Sequence, residues 1–221
     1  MITEALVGPQ RRDDDDVGKL RMGSYGELMI SDMNGFFFEQ VMRGNGYVFS
    51  NVLAGAAPIV AATGAAQTPS ILNPAQSGRL LVVQKITFNR TAVGTPVEGG
   101  IVYSKTPISS IIGTGADIVS GTLVAAVNLR PDLGDNSGMK FFPTTMSITP
   151  APTYFANSGI SQIASTGTAT GVNQFNDIDY INGLIQMPPG WMFTINASAA
   201  IATTYSISIF ALSLPMPLTS Q

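Results

Sequence analysis

Residues 203–214 read TTYSISIFALSL, and a β-strand sends successive side chains to opposite faces. Tyr205, Ile207, Ile209 and Ala211 then share one face, and Ser206, Ser208, Phe210 and Leu212 share the other. The first face is core. The second is half apolar and is expected to meet a partner. A chain that ends its body on such a strand needs a sheet to receive it. The upstream sequence offers one in short β-rich runs punctuated by Gly, Pro, Asn and Asp.

The runs that read as strands are Ser70–Leu72, Leu80–Asn89, Gly100–Ser104, Thr122–Val127, Met139–Ile148, Gly183–Met187, Trp191–Asn196 and Thr203–Leu212. Earlier alternation at Leu28, Ile30, Tyr47 and Phe49 reads as the first strands. Met33–Arg43, with its Phe36-Phe37-Phe38 run, fits a short helix or a strand, and Pro107–Ile112 is a weak helical candidate. Between Met187 and Trp191 stands Pro188-Pro189-Gly190. Proline brings no amide to a ladder and glycine admits positive φ, so the triplet predicts a tight corner. Irregular loops are expected at 105–120 and 150–180, the stretch from Pro150 to Thr170 on the surface. Many short strands without an internal repeat predict an all-β fold: a two-sheet, jelly-roll-like sandwich with an extended N-terminal arm.

Charge divides the chain. Residues 1–50 hold eight acidic and five basic side chains, the run RRDDDD among them, and residues 51–221 hold six of each. Blocks of like charge repel and form no core. The expected organisation is an extended acidic arm with the first strands over 1–50, a jelly-roll sandwich over 51–214 and a short tail over 215–221. Ordering a core-free arm costs about 1–2 kcal/mol per residue in backbone entropy, so neighbouring chains are the expected compensation. Only 11% of the chain is charged, against roughly 25% on average. A face with few charges is desolvated at low cost, which suits permanent contacts.

Several function classes fall away. The chain has no Cys and no His, which removes thiolate nucleophiles, imidazole bases, disulfides and the usual soft-metal ligands. A net charge of −3 without a basic stripe leaves no footprint for nucleic acid. MITEALVGPQRRDDDD lacks the basic and apolar regions of a secretory signal, so none is expected. The small-apolar stretch Val52–Ala66 is interrupted by Gly55, Pro58 and Gly64 and falls short of the about 20 residues a membrane helix needs, so no membrane span is expected.

Two oxygen-rich clusters merit attention. Asp177 and Asp179 in FNDIDY point the same way on a strand, and two such carboxylates could serve a cation or an acid–base pair. A hard cation wants about six or more oxygens, so the pair is read as a polar strand face. Asp132, Asp135, Asn136 and Ser137 in RPDLGDNSG read as turn chemistry, in which Asp and Asn bond nearby backbone. Gly44–Gly46 and Gly113–Gly115 lack the layout of a phosphate loop and read as turns. Asn89-Arg90-Thr91 and Asn196-Ala197-Ser198 match the glycosylation acceptor pattern, which without a signal sequence has no route to use. Trp191 and Tyr205 could stack on sugars, but a Trp after a Pro-Pro-Gly corner reads as a plug of the core. No catalytic, cofactor-binding or metal-binding residue is assigned, and no cofactor is expected.

An acidic arm, the aromatic segment GELMISDMNGFFFEQVMRGNGYVFSN, a Gly/Ala/Thr-rich body and the closing INGLIQMPPGWMFTINASAAIATTYSISIFAL occur in that order. In style this resembles small jelly-roll virion proteins of tailed bacteriophages, the capsid cement or decoration proteins above all. The resemblance implies a non-enzymatic protein on the capsid surface of a virion, bound to the major capsid protein and to copies of itself as a homotrimer. A jelly-roll component of the phage tail or fibre, contacting the host surface, is the alternative it implies.

Overall fold

The computed structural model describes residues 36–51, 54–60, 66–67, 69–92, 99–108, 118–120, 122–144, 146–148, 152–162, 176–199 and 203–216. The part of the expected 1–50 arm that precedes residue 36, with Leu28 and Ile30, lies outside them. The chain forms two compact units, Met1–Glu39 and Gln40–Gln221. Among the described residues one helix, α1 (Phe36–Met42), resolves the ambiguity of Met33–Arg43.

The strands are β1 (Gly46–Ser50), β2 (Ala66–Gln67), β3 (Ser70–Asn73), β4 (Arg79–Ala92), β5 (Gly99–Pro107), β6 (Ile118–Ser120), β7 (Val127–Asn128), β8 (Lys140–Phe142), β9 (Met146–Ile148), β10 (Thr153–Gln162), β11 (Asn176–Met187), β12 (Trp191–Ala197) and β13 (Thr204–Pro215). They make one five-stranded sheet in the order β11-β4-β13-β1-β7, a second in the order β10-β5-β12-β3-β8, and a small sheet β2-β9-β6. Every pairing between these strands is antiparallel, and the isolated bridge Val60–Ala197 is parallel.

The two orders match position by position: each place in the first sheet and the same place in the second are filled by strands close in sequence, such as β4 and β5 or β12 and β13. Four main pairs, β1/β3, β4/β5, β10/β11 and β12/β13, lie across the sandwich as third, second, fourth, first. The last pair inserted between first and second is the wrap of a jelly roll. The β7/β8 pair extends both sheets beyond the first.

The core lies between the five-stranded sheets. Tyr47, Phe49, Ile86, Phe88, Tyr205, Ile207 and Ile209 from one meet Ile71, Ile101, Tyr103, Phe141, Phe193 and Ile195 from the other, all at most 2% exposed. Edge-on ring contacts join Phe49 to Phe141 at 5.7 Å and Phe88 to Tyr205 at 6.4 Å, a favourable arrangement of ring quadrupoles. A satellite cluster of Leu72, Ile108, Phe142, Met146 and Met192 brings β9 of the small sheet against residues of the second sheet. The predicted core face of β13 is buried as expected: Tyr205, Ile207, Ile209 and Ala211 are at most 2% exposed.

The Pro-Pro-Gly corner forms where expected. Gly190 has φ 82°, donates its N–H to the Asn73 carbonyl at 2.9 Å and accepts from Ile108 N–H at 2.7 Å, carrying the chain from β11 in one sheet to β12 in the other. Three expectations are corrected. The predicted 150–180 loop contains β10 and the start of β11; TYFANSGISQ has little apolar alternation, and it is held by pairing to β5 across two register shifts. Met139–Ile148 is two strands in two sheets, because Pro143 cannot donate to a ladder. Thr122–Val127 reduces to the bridge Val124–Phe141 and the short β7.

Candidate functional site

Asp177 and Asp179 fall on the same side of β11, as alternation requires. They pair with Phe88 and Ile86, both core residues, so the carboxylates are on the sandwich side of a strand that ends its sheet. Asp179 accepts a 2.6 Å hydrogen bond from the Tyr103 hydroxyl. Burial first, and then the Asp179 acceptor and its charge, push the Tyr103 phenol far above its ordinary range, so Tyr103 is a neutral donor. One Asp177 oxygen accepts from the adjacent Ile178 N–H at 2.8 Å. Among the described residues no group of three or more acidic, His or Cys side chains could hold a metal ion. Inward-pointing charges on an edge strand discourage uncontrolled strand addition, which gives the pair a physical role.

The second cluster is turn chemistry in detail. Asp135 accepts from Ala126 N–H at 2.9 Å on one oxygen, and from Ser137 N–H at 3.0 Å and Ser137 Oγ at 2.7 Å on the other. Asp132 is gripped by Arg130 through Nε at 2.9 Å and through Nη2 at 2.6 Å, which holds its exposed carboxyl below the usual range. Asn196 is fully buried and donates to the Ile59 carbonyl at 3.1 Å, so its acceptor pattern is out of reach of modification; Asn89 is exposed. Tyr205 is core. Trp191 is half-buried against the core, with the Lys105 ammonium 5.4 Å from its ring centroid. Gly44 follows α1 in a turn, donating to the Val41 carbonyl at 2.9 Å, and Gly113–Gly115 lie outside the described residues.

The outer face of the β11-β4-β13-β1-β7 sheet has a more unusual composition. Register aligns Tyr180, Lys85, Phe210, Val48 and Val127 in one row across all five strands. A parallel row runs through Ile178, Thr87, Ser208 and Ser50, with the Ser50 and Ser208 hydroxyls bonded at 2.8 Å. Tyr180 is 65% exposed, Val127 63% and Ile178 45%. Lys85 is the one charge in the two rows, and its ammonium sits 4.4 Å from the Phe210 ring centroid, a cation–π contact that partly covers both. Leu184, 88% exposed, stands in a bulge of β11 where the register to β4 breaks between Tyr180 and Ile185. Asn182 and Gly183 have φ 50° and 79° there, and Gln186 Nε2 donates to the Gly183 carbonyl at 3.1 Å.

Alternation in β13 made Phe210, Ser206 and Ser208 legible as a second face. Tyr180 and Ile178 were hidden behind the carboxylates that interleave with them in DIDY. Leu212, expected on that second face, is fully buried. Comparison with protein-family models, with curated proteins and with solved structures gives no match to this chain.

Proposed function

We propose that this chain is a structural subunit of a virion, a cement or decoration protein that stabilises a capsid by bridging its subunits. Its partners in this reading are the major capsid protein and further copies of itself, and it performs no catalysis. The observation that carries the reading is the outer face of the larger sheet: two rows spanning up to five strands, apolar and hydroxyl-bearing, with a single lysine. Large exposed apolar side chains gathered on one face mark a contact surface, and a nearly uncharged face is desolvated at low cost. The jelly-roll body adds a rigid scaffold of a kind that shell proteins use.

Association must overcome roughly 4–15 kcal/mol of lost freedom. A body face together with an arm divides that burden between linked contacts, whose combined strength exceeds either alone. The test is the copy number of the chain per purified particle, by quantitative mass spectrometry against the major shell protein. A number in proportion to the shell subunits is expected. A handful of copies moves the chain to the tail or fibre, and absence from particles defeats the viral reading.

A further inference from the structure

The β11 edge of the larger sheet, open among the described residues, is suited to one more strand of a particular charge pattern. Among the described residues β11 pairs with β4 on one side and with no strand on the other, so alternate N–H and C=O groups of Asn176–Tyr180 face away from the sheet. Such an edge templates strand addition. The side chains beside it alternate: Asp177 and Asp179 on the sandwich side, Ile178 and Tyr180 on the outer side. A second copy of β11 would oppose carboxylate to carboxylate, and like charges directly opposite destabilise a strand pair. The bulge at Asn182–Gly183 shortens the regular edge further. Self-pairing is thus disfavoured, while a strand with two cations at alternate positions and an apolar residue between them is favoured.

One place in the whole sequence has basic residues two apart: Lys19-Leu20-Arg21, followed by Met22. It belongs to the first compact unit, Met1–Glu39, and not to the unit that holds the sandwich. From Met22 to Phe36, where α1 begins, an extended chain reaches at most about 50 Å, enough to span to a neighbouring molecule.

We propose that Gly18–Met22 of a second copy adds to the open edge of β11, placing Lys19 and Arg21 beside Asp177 and Asp179 and Leu20 beside Ile178. Both charge pairs have the same two-residue spacing, so the match holds for parallel and antiparallel addition. The inference rests on the reading that copies of the chain are bridged, and it names the strand and the edge that bridge them.

The natural chain has no Cys, so a designed disulfide reports one contact alone. The full-length Leu20→Cys/Ile178→Cys variant is made with natural-abundance and with ¹⁵N label, and the two are mixed, oxidised, digested and read by mass spectrometry. Ile178 is 45% exposed, so its replacement leaves the core intact. The expected product is a 20–178 disulfide with mixed heavy–light pairs in the statistical proportion. No such disulfide, or one only between like isotopes, overturns the proposal. In the same background Lys19→Asp/Arg21→Asp is expected to lower the cross-link yield by more than about tenfold, and adding Asp177→Lys/Asp179→Lys is expected to restore it. Unchanged yield in the first variant overturns the charge match. A missing cross-link leaves the copy number per particle as it was, and absence from particles leaves the cross-link as it was, so the two failures are told apart.

Discussion

Replacing Phe193 by Ala is expected to lower the stability of the chain by about 3–5 kcal/mol, read as a fall in the urea midpoint with little change in slope. Phe193 is fully buried on β12, a central strand paired to both β5 and β3. Its ring centroid lies 5.6 Å from that of Tyr103, and the residues around it come from both sheets, so backbone pairing on two sides prevents collapse into the vacated space. Domains of this kind have about 5–15 kcal/mol in hand, so the loss is a large fraction of the whole. A drop below about 1 kcal/mol would mean that the two sheets do not meet at this ring.

Asn73→Asp is expected to be nearly as damaging, although the two side chains have the same shape. Asn73 is fully buried at the end of β3, and its amide nitrogen donates to the carbonyls of Arg79 at 2.7 Å and Met187 at 2.8 Å. Those two carbonyls belong to the other five-stranded sheet, so one side chain ties the layers together beside the Pro-Pro-Gly corner. Its oxygen accepts from the Ser77 hydroxyl. A carboxylate would oppose two carbonyl oxygens, take the amide donor from each and bury a charge. Each unsatisfied buried group costs about 1–3 kcal/mol and a charge more, so a loss of at least about 3 kcal/mol at neutral pH is expected from denaturant unfolding. Parity with the natural chain would contradict the inter-sheet role of Asn73.

These two residues also show how far a sequence is readable. Phe193 sits in WMFTIN, where Phe193 and Ile195 are both core residues, and that strand was legible, as were most of β4, β5 and β13. Each of these has enough large apolar residues at alternate positions to declare a face. β10 does not: its alternation is lost among Ala, Asn, Ser and Gly, and it is a strand because β5 offers a ladder. The bulge at Gln84, where Lys85 pairs with Phe210 but Val83 with Ala211, resets the phase of β4 and has no signature in the residues themselves. Asn73 reads locally as a turn residue, since its partners Arg79 and Met187 are fixed by the wrap of the chain.

The candidate surface was legible in halves. The convergence of Asp177 and Asp179 follows from strand period alone, but their position on an edge strand is a property of strand order. Phe210 likewise announced a second face on β13, whereas the row from Tyr180 to Val127 exists only once five separate strands are in register.

The outer face of the larger sheet as the surface buried on assembly is most directly tested by hydroxyl-radical footprinting of Tyr180 in the dilute free chain and in intact particles. Tyr180 is 65% exposed and its ring oxidises readily when wet. Strong labelling in the free chain and loss of that labelling in particles is the expected result; equal labelling in both would show that this face stays in water and that assembly, if it occurs, uses another.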